Sequence, residues 1–342
     1  MGRKTLMEKV NWGILATGSI AHKFARGLKH SRTGVLAATG SRSLEKAVTF
    51  ATEHGGKPYG RYDDVLTDPS IDAVYIALPH HLHAEWTIKC AEAGKHILCE
   101  KPFTLNAKDA ERALKEVDKA GVFFMEAFMY RCHPQTRELA KMVREGVIGK
   151  PLVVNAEFGF AAGRDWENFR TVGELGGGGL MDVGTYCVSM CRLIAGEEPI
   201  RCEYVANLSP SAPAPSPRHS SGRGESYDEY GTGCLKFPSG MTAMIGTGIH
   251  VSLRNEVLIY GTEGSIRVPS PWFCAEPFVV HAAGNDPMPV RIGEGLDLYG
   301  QEADAVAECV EQREHPAMTW QDTIGNARTL DSMRASAQMA DL

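Results

Sequence analysis

The segment that most restricts the possible folds is Val10-Asn11-Trp12-Gly13-Ile14-Leu15-Ala16-Thr17-Gly18-Ser19-Ile20-Ala21. Val10 to Ala16 is a β-rich apolar run, after which Ile20, Phe24 and Leu28 recur at helical spacing. A strand turning this sharply into a helix opens a βαβ unit. The turn has the form G-x-G-x-x-G/A, with Ala16 in the first position, Gly18 in the second and Ala21 in the third. Gly18 would let the backbone approach a pyrophosphate. The helix starting at Ser19 and Ile20 would offer N–H donors and the positive end of its dipole. Ala16, Thr17, Gly18, Ser19 and Ile20 are therefore candidate dinucleotide contacts, although any tight βα turn shares this outline.

The rhythm continues. Val35 to Gly40 reads as the next strand and runs into Ser41-Arg42-Ser43, with no acidic residue before Glu45. An acid at this strand end would bind a ribose 2′-hydroxyl, whereas a hydroxyl and a guanidinium suit a 2′-phosphate. Ser41 and Arg42 thus favour NADP(H), with NAD(H) the second choice; the competing reading is a helix-capping Ser43 beside a solvated arginine. A helix over Leu44–His54, a strand over Ala73–Ala77, a helix from about Ala84 to Ala93, a strand over His96–Cys99, a helix near Asn106–Lys119 and a strand over Val122–Glu126 complete a right-handed parallel sheet. Strand ends face the ligand in such sheets, which adds Leu78, Pro79, His83, Glu100 and Lys101 to the cofactor candidates. Pro102 makes the backbone that presents Lys101 stiff. His80, His81 and His83 suggest a metal but lack a nearby acidic or thiol partner and the H-x-x-x-H spacing, so no metal is expected. His83 is expected to cap the following helix or line the cleft.

Composition changes after Glu126. A helix from Gln135 to about Glu145 precedes a long strand, Leu152 to Ala161, then strands over Arg201–Asn207, Tyr230–Phe237, Met241–His250, Glu256–Tyr260 and Ser265–Val268. Turns at Pro238-Ser239-Gly240 and Thr262-Glu263-Gly264 join neighbours as hairpins. The expected fold is α/β: an N-terminal Rossmann domain with a doubly wound parallel sheet (1–126), followed by an α+β substrate and oligomerisation domain with a large open-faced, mainly antiparallel sheet (127–342). Ser209–Ser226 is rich in Pro and Ser and is expected to be a mobile loop. Helices over about Leu298–Arg313 and Asp322–Gln338 end the chain.

With 342 residues, two domains are favoured over one. A formal net charge of -6 argues against nucleic acid or an anionic membrane as the main partner, and no apolar run reaches membrane-spanning length. The N-terminus has no signal-peptide core, which points to the cytoplasm. Nine scattered cysteines contain no C-x-x-C pair; Cys187 and Cys191 are one helical turn apart, but buried or free thiols are the simpler reading.

The second domain carries Gly176-Gly177-Gly178-Gly179-Leu180-Met181-Asp182-Val183-Gly184-Thr185-Tyr186. From Leu180 the apolar spacing is helical, which stacks Asp182 and Tyr186 on one face. Gly184 between them costs about 1 kcal/mol of helix stability relative to Ala, a cost understandable where something packs close. An acid near a helix start and a core tyrosine would look the same.

Together, the glycine turn, Glu100-Lys101-Pro102 and Asp182-Val183-Gly184-Thr185-Tyr186 resemble the Gfo/Idh/MocA oxidoreductase family over nearly the whole chain. Tyr186 with Glu126-Ala127-Phe128-Met129-Tyr130-Arg131 is similar to the branch of D-xylose and dimeric dihydrodiol dehydrogenases. The resemblance implies an NADP(H)-dependent enzyme acting on a sugar, polyol or trans-dihydrodiol, and a homodimer or homotetramer through the open sheet. It also implies Lys101 and Tyr186 as the catalytic pair, with Asp182 orienting them. Tyr130, Arg131, Trp166 and Arg170 are candidate substrate contacts, with His133 a further polar candidate. A non-catalytic dinucleotide sensor is the alternative from another class, and a metal-dependent hydrolase would rest on the three histidines alone.

Overall fold

The computed structural model describes residues 9–163, 165, 168–209 and 226–337. Most of the proline- and serine-rich stretch, 210–225, and Trp166 lie outside the described residues. The chain divides into two compact units: Met1–Phe103 with Lys108–His133 and Gly295–Thr323, and Thr104–Ala107 with Pro134–Glu294 and Ile324–Leu342. A single cut after Glu126 does not describe this division, because Gly295–Thr323 returns to the first unit.

The first unit alternates strand and helix: β1 Val10–Leu15, α1 Ser19–Leu28, β2 Gly34–Gly40, α2 Leu44–His54, β3 Lys57–Tyr59, α3 Tyr62–Thr67, β4 Ala73–Ile76, α4 His83–Glu92, β5 His96–Glu100, α5 Ala107–Ala120, β6 Phe124–Ala127 and α6 Met129–Cys132. The strands form a parallel sheet in the order β3-β2-β1-β4-β5-β6. Trp12, Ile14, Tyr75, Ile97 and Leu98 are fully buried, as expected where helices cover both faces. The order reverses between β1 and β4, and ligands of open α/β sheets sit outside the strand ends at such a switch point. Ala77 N–H donates to Leu15 O at 3.2 Å, so the residues after β4 lie directly beside the glycine turn. The sequence did not reveal β3, whose three residues include Pro58; proline is admissible there because β3 is an edge strand.

The second unit contains α7 Pro134–Arg144, β7 Pro151–Gly159, a π-helical turn Leu180–Gly184 continuing into α8 Thr185–Ala195, and the strands β8 Arg201–Leu208, β9 Asp228–Lys236, β10 Thr242–Gly248, β11 Glu256–Gly261, β12 Gly264–Pro269, β13 Phe278–Ala282 and β14 Met288–Val290. Its sheet runs β14-β13-β12-β11-β7-β10-β9-β8. Every pair is antiparallel except β7 with β10. Both expected hairpin turns join antiparallel neighbours, while β13 and β14 extend the sheet beyond what the sequence pattern indicated. One face buries Val154, Ala156, Ile245, Val257 and Ile259. The opposite face exposes Val205, Tyr230, Met244 and Tyr260. β7 ends at Gly159, two residues before the expected Ala161, and Leu152 at its start is exposed.

Two further helices follow, α9 Leu298–Cys309 and α10 Trp320–Ser336. Within the first unit, α9 packs along α1: a Cβ on Gly27 would lie 2.5 Å from Tyr299 Cβ, so glycine sets the approach. Buried Asp304 of α9 accepts hydrogen bonds from Ser31 Oγ at 2.7 Å, Thr33 Oγ1 at 2.8 Å and Arg32 N at 3.0 Å, tying the α1–β2 loop to this late helix.

Candidate active site

In the first unit, β1 runs into Ala16, which adopts φ +89°. This is the left-handed region that favours glycine, and alanine occupies it where the fingerprint has its first glycine. Gly18 is the N-cap of α1 and no side chain caps the helix, leaving its first N–H groups for a ligand. A Cβ on Gly18 would meet no protein atom within 4 Å, so protein packing does not require glycine there. The turn opens onto a cavity of about 830 Å³ lined by Ala16, Thr17, Gly18, Ser41, Arg42 and Tyr62, among others. Ser19 is exposed and Ile20 half-buried at its rim. No carboxylate stands at the end of β2. Ser41 is buried there and its Oγ accepts from Ser43 N at 3.3 Å, while Arg42 is exposed. Ser43 does cap α2, accepting from Lys46 N at 3.4 Å. Capping by Ser43 is therefore compatible with Arg42 facing the cavity, where it contacts Tyr62.

At the end of β5, Lys101 is half-buried and joined to Pro102 by a cis peptide bond. Glu100 is buried: one carboxylate oxygen accepts from the Tyr75 hydroxyl and the other from Lys101 N at 3.3 Å. Its carboxylate is thus engaged within the protein. Burial, followed by the charge of Glu100, holds the Tyr75 hydroxyl in its protonated form. His83 does not cap α4, whose N-cap makes no side-chain hydrogen bond. Instead it is fully buried, with Nδ1 2.9 Å from Pro102 O and Nε2 2.8 Å from Leu78 O. One imidazole therefore braces the Lys101-Pro102 bend against the loop after β4, where Leu78 is buried and Pro79 half-buried. Burial depresses the His83 pKa to about 4, against the opposing pull of the two carbonyls, and a neutral ring carries one N–H, so it donates to one of these carbonyls and lies in contact with the other. These contacts also account for His83 without a metal.

In the second unit, Asp182 lies in the π-helical turn and Tyr186 in the first turn of α8. π-turns concentrate at functional sites. Gly184 admits β10: a Cβ there would fall 2.8 Å from Thr247 Cγ2. The close neighbour expected from the sequence is thus a threonine methyl. Asp182 is buried and accepts from Arg170 Nε at 2.8 Å. The Arg170 guanidinium also sits 4.8 Å from the Phe169 ring centre. Tyr186 is 5 % exposed, with its ring 5.2 Å from Phe158 and 5.7 Å from Trp272.

Sequence reasoning missed two supports of this helix. Trp272 is fully buried and stacks on Phe158 at 5.4 Å, fixing one wall around Tyr186. Asp228, fully buried, accepts from Leu180 N and from the Tyr204 hydroxyl, each at 2.7 Å, and so anchors the start of the π-turn. A Cβ on Gly178 would fall 2.0 Å from Asp228 Oδ1, so the glycine run admits this carboxylate. The run itself was the available signal, but nothing in it pointed 50 residues ahead.

Tyr130 and Arg131 require correction as substrate contacts. Tyr130 has no exposed surface, and Arg131, 3 % exposed, donates to Ala317 O at 2.7 Å and pairs with Asp322 at 3.1 Å. A buried guanidinium held by these partners is structural. His133 is likewise buried. The three histidines do not come together as a metal-ligating group among the described residues.

Two family models cover the chain: an oxidoreductase family with an NAD-binding Rossmann fold matches residues 10–128, and the GFO/IDH/MocA C-terminal domain matches residues 136–267. The chain belongs to the GFO/IDH/MocA oxidoreductase family. A D-xylose 1-dehydrogenase (NADP(+)) of Haloferax volcanii is 32% identical over 96% of this chain and 97% of its own length. A trans-1,2-dihydrobenzene-1,2-diol dehydrogenase of Xenopus tropicalis is 31% identical over 94% of this chain and 96% of its own. Among solved structures, a 3-ketoreductase from Actinomadura kijaniata in complex with NADP and TDP-benzene superposes with a TM-score of 0.81 at 27% identity, covering 96% of this chain and 98% of that one. Solved forms of that enzyme include a lysine-to-alanine and a tyrosine-to-phenylalanine variant. This GFO/IDH/MocA chain is thus an oxidoreductase. Among its described residues no helix is long and apolar enough to cross a membrane.

Proposed function

We propose that the protein is an NADP(H)-dependent dehydrogenase or reductase acting on a CH–OH or carbonyl carbon of a sugar, polyol or trans-dihydrodiol. The observation that carries the cofactor choice is the end of β2: a buried Ser41 and an exposed Arg42 with no carboxylate at the strand end itself, the first acid, Glu45, lining the cavity of about 830 Å³ from α2 together with Lys46. Arg42 would form charge-assisted bonds to a 2′-phosphate. The uncapped start of α1 would receive the pyrophosphate, and the space over Gly18 would allow its close approach. The residues present therefore fit NADP. When bound, its nicotinamide supplies or accepts the hydride.

The chain's own contribution is proton transfer and charge stabilisation. Tyr186 would hold the proton exchanged with the substrate oxygen, with the Lys101 ammonium lowering the cost of its phenolate. In the reducing direction the same two groups would donate a proton and stabilise the developing alkoxide. Asp182, held by Arg170, would fix the helix segment presenting Tyr186. The NADP-dependent xylose dehydrogenase and the dihydrodiol dehydrogenase support this substrate class. The exposed sheet face bearing Val205, Tyr230, Met244 and Tyr260 supports self-association of the second unit.

The test is reduction of NADP⁺ and NAD⁺ measured over a panel of aldoses, anhydrosugars and trans-diols, with Lys101→Met and Tyr186→Phe beside the parent. NADP⁺-dependent turnover lost in both folded variants is expected. A clear NAD⁺ preference would overturn the cofactor reading, and full activity of Lys101→Met would overturn the acid–base pair. Cofactor binding without turnover on any substrate would instead indicate a dinucleotide sensor.

A further inference from the structure

Apart from the chemistry proposed above, His22 of α1 and the last two residues of α2, Glu53 and His54, bring their ligand atoms together although they are distant in sequence. We propose that His22, Glu53 and His54 form a binding site for a divalent transition-metal ion of the zinc class, clamping α1 to the end of α2.

His22 Nδ1 lies 2.7 Å from His54 Nε2, 3.3 Å from Glu53 Oε2, and His54 Nε2 lies 3.2 Å from Glu53 Oε1. Ligands at the usual zinc distances in a tetrahedron are separated by about 3.3 Å, so each carboxylate oxygen already stands at coordination spacing from one nitrogen, Oε2 from His22 and Oε1 from His54. The two nitrogens share one hydrogen bond and would open by about 0.6 Å when a metal ion replaced that proton, by the same tetrahedral geometry. Phe50 packs against both imidazoles, with ring centres 4.6 Å from each, and limits their rotation.

The site has a closed side and an open side. The His54 side chain is 1% exposed, His22 30% and Glu53 53%, which leaves access for the ion and a water as fourth ligand. Two features moderate the affinity. Arg26 approaches Glu53 at 4.0 Å, and Lys29 adds a second positive charge near His54. The buried His54 Nδ1 has no hydrogen-bond partner, so the outer support common to tight sites is missing. Micromolar rather than nanomolar binding follows. His22 also lines the cavity at the glycine turn, so the ion would sit at the margin of the region assigned to the cofactor.

The experiment titrates the full-length protein with Co²⁺, read by visible absorption, and with Zn²⁺ by calorimetry. The parent is compared with His22→Gln, Glu53→Gln and, as a thiol control, Cys234→Ser, each checked for folding by circular dichroism. One equivalent is expected to bind with the spectrum of a nitrogen and oxygen site lacking thiolate charge transfer. Affinity is expected to fall at least about tenfold in His22→Gln and Glu53→Gln and to stay unchanged in Cys234→Ser. The His54 side chain is the least exposed of the three, so its replacement risks the fold; the two more exposed ligands keep the test independent of that. Thiolate bands, equal affinity in the folded His22→Gln protein, or no saturable binding would overturn the proposal.

Discussion

Arg170 Nε donates to Asp182 Oδ2 at 2.8 Å, joining a half-exposed guanidinium to a buried carboxylate one turn before Tyr186. Removing Arg170 takes a charge-assisted hydrogen bond from that buried carboxylate, which is costly. Arg170→Met is expected to lower kcat/KM by at least about tenfold, or about 1.4 kcal/mol of transition-state stabilisation, with Arg170→Lys recovering part. Steady-state kinetics on the best substrate from the panel checks this; an unchanged value would detach Asp182 from the reaction.

Arg42 stands exposed at the end of β2 and lines the cavity there, with Lys46 of α2 a second cation in the lining. Arg42→Ala is expected to weaken NADP⁺ by roughly 10- to 100-fold while leaving NAD⁺ nearly unchanged, the signature of a lost charge-assisted bond. Dissociation constants for the two nucleotides, measured by fluorescence titration, decide it.

Ala16 holds a backbone conformation that costs a non-glycine residue about 1–3 kcal/mol. Ala16→Gly relieves this strain but adds freedom to the unfolded chain. A net gain of about 1 kcal/mol is expected, the balance of those two effects, and is read by urea denaturation.

Asp228 gives a pH dependence of defined sign. Burial raises its carboxyl pKa to about 7 in the folded protein, above the ordinary aspartate value of 3.8. Between these values the folded state binds more protons than the unfolded one, so this group's contribution falls as pH rises from about 4 to about 7. Asp228→Asn is expected to remove that descending component. Subtracting the variant's pH–stability curve from the parent's should show a decline through this window and a plateau above it.

How much of this could be read from the sequence follows from the range of the interactions. The β1 turn, the end of β2 and the Lys101 bend are local, and period and turn chemistry placed them. The hairpins at Gly240 and Gly264 were legible for the same reason. The brace from His83 to Pro102 joins residues 19 apart, the anchor from Asp228 to Leu180 joins residues 48 apart, and Trp272 reaches Phe158 from still further along the chain. None of these leaves a periodic trace. The π-turn was read as ordinary α-helix because apolar spacing over five residues does not distinguish the two. Nothing near Arg131 in the sequence announces its burial, because its ion-pair partner Asp322 comes almost two hundred residues later.

The late return of α9 to the first unit has a consequence for biosynthesis. The cap that Asp304 places on the loop after α1 cannot form while residues 134–294 are still being added. On the ribosome, the nucleotide-binding half would wait, incompletely closed, until the sheet of the other unit had emerged. A stop codon anywhere before residue 304 would therefore damage both halves of the protein, including the one encoded first.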